Sequence, residues 1–155
     1  MSADTYSVSE ISQVIRDQIA LTFPTELWVR GQIQNITRAQ SGHVYFDLVA
    51  VDAGDDVLGV TLFAATKRQV NERLKRGGGV RMTDGTEVRI RARVEWFGPR
   101  GRAQLRMSDI DPEFTLGRLE SEREALLLKL KGEGLLDANA GRPVPDAPIH
   151  IGLVT

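Results

Sequence analysis

The stretch Glu87-Val-Arg-Ile-Arg-Ala-Arg-Val-Glu-Trp-Phe97 decides how this chain is read. Val88, Ile90, Ala92, Val94 and Trp96 alternate with Arg89, Arg91, Arg93 and Glu95. A period of two sends the two sets to opposite sides of an extended backbone, so the segment is a strand with one apolar and one wet face. Gly98-Pro-Arg-Gly101 then makes a tight loop. Ala103, Leu105 and Met107 alternate with Gln104, Arg106 and Ser108 as the returning strand of a hairpin.

Upstream, Asp84-Gly85 is a turn, and Gly77-Gly78-Gly79 closes a short basic helix over 64–76 whose Val70 and Leu74 lie four apart. Three more strands precede it. The first runs from Leu27 through Val29, Gly31 and Ile33 to Gln34, and the polar stretch Asn35–Gly42 is read as its turn. The second, 43–51, sends Val44, Phe46 and Leu48 one way and His43, Tyr45 and Asp47 the other. A short loop from Asp52 to Asp56 joins it to the third, 57–63. Before the strands, Ser7-Val-Ser-Glu10 has the form of a capping box. Val8, Ile11, Ile15 and Ile19 predict a helix over about 8–22, with one apolar face to bury. After Asp111-Pro112, leucines at helical spacing predict a helix to about Lys131. Asn139–Pro148 reads as a linker, and Ile149–Thr155 as a buried strand opening a second domain.

Five strands with a helix between the third and fourth is the order of an OB-fold, a five-stranded Greek-key barrel. Another small barrel or a sandwich of similar strand count is the competing architecture. The expected organisation is a helical segment at 1–26, a barrel at 27–112, a helix and linker at 113–148, and the start of a truncated domain at 149–155.

Composition narrows the function. At 155 residues and 41% apolar, the chain is about one domain with a core. No apolar run approaches the ~20 residues a membrane span needs, and Met1–Tyr6 has no secretory signal. The chain has no Cys and only two His, which argues against thiolate and His-rich metal sites. Asp52, Asp55 and Asp56 lack the spacing and terminal Glu of a calcium loop. The Gly77–Gly79 run lacks the Lys-Ser/Thr of a phosphate-cradling loop, and no Ser/His/Asp set can be assembled. No cofactor is expected. The net charge of −1 hides a division: residues 28–106 hold 14 Lys and Arg against 8 Asp and Glu, while both flanks are acidic. Such asymmetry is of the kind that marks nucleic-acid-binding modules, and a solvated surface with uneven signs is the plainer reading.

OB-folds bind single strands on strands 2–3 and through the loops joining strands 1–2 and 4–5. Those places hold Arg38 and Gln40 in the first loop, His43 and Tyr45 on strand 2, Phe63 at the end of strand 3, and Phe97, Arg100 and Arg102 at the second loop. A single strand needs cations for phosphates and flat rings for bases. The candidate nucleic-acid-binding set is therefore Arg38, His43, Tyr45, Phe63, Arg100 and Arg102. Each has a plainer reading. Exposed rings also pack under neighbouring helices, and the stripe Arg89, Arg91, Arg93 is equally read as solvated or paired with Glu87, Glu95 and Asp84. Trp28 and Trp96 read as core or docking residues.

Several motifs also resemble a known family. Trp28-Val-Arg-Gly-Gln-Ile-Gln-Asn35 is similar to the W-V-x-G-E-I-S-N of the exodeoxyribonuclease VII large subunit. Ser41-Gly-His-Val-Tyr-Phe-Asp-Leu48 resembles its S-G-H-x-Y-F-x-L, and Pro99-Arg-Gly101 with Gln104-Leu105 its P-R-G-x-Y-Q-L. Tyr6–Ile11 resembles its opening, and Gly134–Asp137 through Ile151–Thr155 its entry into the nuclease domain. The resemblance implies an N-terminal OB domain that holds single-stranded DNA, with His43, Tyr45, Phe63 and Arg100 at family-matched positions. It implies a cytoplasmic complex that degrades single-stranded DNA to oligonucleotides and binds small subunits through a C-terminal part beyond Thr155. The catalytic motifs would lie there too, so this chain alone would be inactive. Departures are Gln32 for Glu, Gln34 for Ser, Ala64 for Arg, Ala103 for Tyr, Arg102 for Asp, and the inserted glycines 77–79. Two other readings compete. One is an interaction module docking on its own catalytic domain or partner subunits. The other is a tRNA-binding module of a synthetase, which the terminal motifs do not resemble.

Overall fold

The computed structural model describes residues 5–52, 54–136 and 138. The expected linker and final strand, 139–155, lie outside the described residues. The element order is α1 (Val8–Thr22), β1 (Leu27–Arg38), β2 (Val44–Val49), β3 (Val57–Leu62), α2 (Ala64–Arg76), β4 (Glu87–Phe97), a 3-10 turn (Gly98–Arg100), β5 (Arg102–Asp111) and α3 (Pro112–Gly132). The chain divides into two units after Arg118. The first holds the barrel with α1, α2 and the start of α3; the second begins at Leu119 and holds the rest of α3.

The strands close as β1-β2-β3-β5-β4, with β4 returning to β1. Every pairing is antiparallel except β3 with β5, which is parallel and shuts the barrel. This is the expected five-stranded OB architecture, with a helix before the barrel, one between β3 and β4, and one after it. Alternating apolar residues fill the inside: Ile33, Val44, Phe46, Leu48, Val60, Val88, Ile90, Leu105 and Met107 are buried. Val70 and Leu74 of α2 join this core, so the helix plugs one side of the barrel.

Closure depends on β1 serving two partners. Gln32 pairs with both Glu87 of β4 and Val49 of β2, so the strand bends there. Gly31 permits the bend. A Cβ at this position would stand 2.7 Å from Leu48 Cγ and 2.8 Å from the Val49 carbonyl oxygen.

Two expectations are corrected. The polar stretch after Gln34 is not all turn: β1 continues to Arg38 across an irregularity between Gln34 and Thr37. Asn35 takes a positive φ of 55° there, a conformation its short polar side chain tolerates. Two carboxylates hold the irregularity. Asp84 accepts the Ile36 N–H at 2.9 Å, and Asp47 accepts from Asn35 Nδ2 at 2.9 Å. Long-range acceptors let a polar segment remain in the sheet. The second correction concerns α1. Its capping box forms as read, but none of its residues is buried, and Val8, Ile11 and Val14 are exposed. The helix leans on β4 through Ser12, which accepts from Trp96 Nε1 at 2.9 Å, so Trp96 is a docking residue as expected.

Candidate nucleic-acid interface

The wet face of β2 and β3 carries the ring cluster. Outward alternation on β2 presents Tyr45, while the buried Val44 and Phe46 on either side anchor the strand. Phe63 follows β3 as the residue capping α2, still in extended conformation. His43 stands between them. Its ring meets Phe63 edge-on at 5.1 Å and Tyr45 edge-on at 6.3 Å between centroids. Tyr45 and Phe63 remain 42% and 37% exposed, open enough to offer a face to a base.

His43 is placed by a helix terminus. The first N–H groups of a helix have no partner within it. Phe63 supplies no side-chain cap, and the Ala64 N–H donates instead to His43 Nδ1 at 3.0 Å. An accepting Nδ1 carries no proton, so Nε2 bears the N–H. The bond ties β2 to α2 and fixes the imidazole as the wedge between the two larger rings. The turn below it is tight: Ala39 N–H donates to the His43 carbonyl and Gly42 N–H to the Ala39 carbonyl, both at 2.9 Å. Gly42 takes φ 84°, which favours glycine.

Arg102 joins this face from β5. It lines a shallow groove of about 90 Å³ with Asn35, Tyr45, Asp47, Thr61 and Gln104. Its guanidinium carbon lies 3.9 Å from where a Cβ of Gly59 would be, so the arginine lies across β3 at van der Waals distance from this position. The parallel β3–β5 pairing produces this juxtaposition, aligning Gly59 with Gln104 and Thr61 with Arg106.

The six sequence-derived candidates therefore separate. The structure gathers His43, Tyr45, Phe63 and Arg102. Arg38 ends β1 opposite Val44 and lines a different cleft, on the α2 side. Arg100 closes the 3-10 turn of the β4–β5 hairpin, and the hairpin's Gly98 sits close to Ser12 and Arg16 of α1. Neither shares a ring contact or the groove with the other four among the described residues. Sequence reasoning passed over Asn35 and Gly59, whose places depend on strand register, and Lys67, which points at the first loop from α2.

Ion pairing sorts the arginines. Arg89 pairs with Asp111, Arg91 with Glu26 at 3.0 Å, and Arg106 with Glu95 at 3.2 Å. The β4–β5 stripe is thus mostly neutralised, by Asp111 and Glu26 rather than by Asp84 and Glu87. Glu87 instead takes Arg118 at 2.7 Å. Arg89 also lies over the rings of Trp28 and Phe114, at 5.5 and 5.6 Å. Trp28 is exposed, so it is not a core residue as one reading held. Asp52 takes Arg30 at 3.3 Å, and among the described residues no group of His, Asp or Glu is arranged to hold a metal. Arg38, Arg100 and Arg102 have no ion pair among the described residues, so their charge is free for an anion.

A closed five-stranded barrel with exposed rings beside β2 and β3 and, next to them, an arginine without an ion-pair partner among the described residues defines a class. Residues 6–111 match the family model described as OB-fold nucleic acid binding domain, and the chain belongs to that family. Its whole length also has curated homologues named exodeoxyribonuclease 7 large subunit. It is 35% identical over 152 residues to that of Thioalkalivibrio sulfidiphilus, covering 98% of this chain and 31% of that protein. It is 33% identical over 155 residues to that of Pseudomonas aeruginosa, covering 100% and 31%. The chain thus spans about a third of the length of these relatives. The mitochondrial single-stranded DNA binding protein Rim1 of S. cerevisiae aligns with a TM-score of 0.39 at 15% identity, over 57% of this chain and 93% of its own. No described helix is long and apolar enough to cross a membrane.

Proposed function

We propose that this barrel is the single-stranded-DNA-holding part of an exodeoxyribonuclease VII large subunit. Bases stack on Tyr45 and Phe63, His43 keeps those two rings apart, and Arg102 meets the phosphates. Arg38 at the end of β1 and Arg100 in the β4–β5 turn extend the contact. The observation that carries this reading is the exposed ring cluster, 5.1 and 6.3 Å between centroids, beside an arginine with no acid partner among the described residues. Stacking of ~1–3 kcal/mol per base supplies affinity without sequence preference, as a guide for a processive nuclease requires. In this reading the barrel holds the strand and does not cut it. Hydrolysis of single-stranded DNA to oligonucleotides, association with small subunits and a cytoplasmic setting belong to the whole protein in this reading.

The test is a titration of a fluorescently labelled single strand of ~20 nucleotides at low and moderate salt, beside a duplex control. Salt-sensitive binding that prefers the single strand is expected. No binding at low salt would overturn the reading and reassign the rings to docking on a partner domain.

A further inference from the structure

A second basic surface lies on the other side of the first loop. A cleft of about 570 Å³ opens between the end of β1, α2 and the segment leading into β4. Its rim carries Arg38, Lys67, Lys75 and Arg81 over a floor that includes Leu62 and Leu74. Among the described residues no carboxylate lines it. Two acids on the bordering segments are already engaged: Asp84 accepts the Ile36 N–H, and Glu72 takes Arg68 at 3.5 Å. None of the four cations has an ion pair among the described residues. Lys67 lines the cleft and donates weakly to the Gly42 carbonyl at 3.4 Å, at the turn beside it. Four like charges converging without counterions repel one another, an arrangement that an anion relieves.

The cleft adjoins the ring cluster. Thr37 pairs with Tyr45 and Arg38 with Val44, so the rim arginine is one strand spacing, ~5 Å, from the start of β2. His43 is bonded to Ala64 and Lys67 to Gly42, so the same turn borders both surfaces. We propose that this cleft is a phosphate-binding site for the backbone of the strand whose bases lie on Tyr45 and Phe63. It carries the nucleic acid past the β2–β3 face and along α2. This rests on the proposed function above. The glycine turn favours it locally: Gly78 and Gly79 take φ of 98° and 73°, and the chain leaving that turn brings Arg81 to the rim.

The test uses the whole chain with the double substitution Lys75→Gln and Arg81→Gln, both exposed positions outside the core. Single strands of ~6 and ~20 nucleotides are titrated over a salt series. Tyr45→Ala is run in parallel, and thermal melting checks the fold. Each phosphate contact contributes about −0.7 to the log–log salt slope for single strands. The double variant is expected to flatten the slope by about 1.4 on the long strand and to bind the short one unchanged. Lys75→Arg should retain the wild-type slope. An unchanged slope on the long strand, with Tyr45→Ala still weakening binding, would overturn the cleft and leave the ring face standing. No single-strand binding by the wild type would overturn both. Binding of tripolyphosphate that is lost in the double variant, with the strand unaffected, would replace the strand by a free polyphosphate.

Discussion

Replacing Tyr45 by Ala separates base stacking from charge at the proposed interface. Tyr45 stands outward on β2, 42% exposed, between Val44 and Phe46, which carry the burial of that strand. The fold therefore loses little. The main contact removed is the edge-on meeting with His43 at 6.3 Å, and such ring pairs contribute ~0.5–1.5 kcal/mol at most. That is a few degrees in melting temperature for a domain of this size. Binding should lose about twice as much. One base stacked on the ring is worth ~1–3 kcal/mol, so affinity for a single strand should fall by about 5- to 150-fold. The salt slope should not change, because no phosphate contact is lost. Arg102→Gln is the converse case. It should flatten the slope by about 0.7 and weaken binding most at low salt. Fluorescence anisotropy on a labelled ~20-nucleotide strand at four or five salt concentrations reads both quantities. Equal affinities for Tyr45→Ala and wild type would refute the stacking argument. A slope change in Tyr45→Ala matching that of Arg102→Gln would refute the division of labour between ring and arginine.

Other consequences can be measured on the same protein. Gly31→Ala should destabilise the barrel by about 1–3 kcal/mol, since the new Cβ meets both a buried leucine and a backbone carbonyl. A urea midpoint indistinguishable from wild type would show that β1 can move aside. Asp111 gives a pH signature. Burial pushes its carboxyl up, but the Phe114 N–H, the Arg89 guanidinium and the Glu113 N–H outweigh this and hold it below its ordinary 3.8. A depressed folded-state value means that this stabilisation is present above the unfolded value and is lost as pH falls through the folded one. Wild type should therefore exceed Asp111→Asn in stability at neutral pH, with the gap narrowing in acid below about 3.8; a gap constant down to strong acid would contradict it. Trp96→Phe keeps an aromatic ring and removes the bond to Ser12, costing about 0.5–1.5 kcal/mol in the docking of α1. Hydrogen exchange should quicken in α1 and not in the barrel, and equal protection throughout would show that the bond does not hold the helix.

The strands and helices were legible because each is encoded locally. The alternation from Val88 to Trp96 needs no tertiary information, nor does the capping box at Ser7–Glu10, which forms as read. Helix α2 spans 64–76 as its spacing predicts, because Val70 and Leu74 have a core to enter and glycines come directly after. The same alternation turned His43 and Tyr45 to the wet face, and Phe63 is read at the end of the third strand, so all three rings of the cluster were candidates in advance. Polarity misled at Asn35–Arg38, where hydrogen bonds donated to Asp47 and Asp84, distant in sequence, keep a polar segment in the sheet. Periodicity likewise overstated the burial of α1, because an apolar stripe says what a helix could bury and not how much surface is offered to it.

The sequence alone determined the element order, the apolar inside of the barrel and the residue types set out for a nucleic acid. Only the tertiary structure decided which of those residues meet. Parallel pairing of β3 with β5 brings Arg102 across Gly59 toward Tyr45, from more than forty residues away along the chain. Docking of α2 gives its first N–H to His43 and opens the cleft that takes Arg38 away from the rings. Closure also chose Asp111 and Glu26 as partners for Arg89 and Arg91, leaving other cations unneutralised. The physical reason is range. Side-chain alternation and helix capping act within a few residues, whereas charge pairing and groove formation depend on distances that exist only once the barrel has closed.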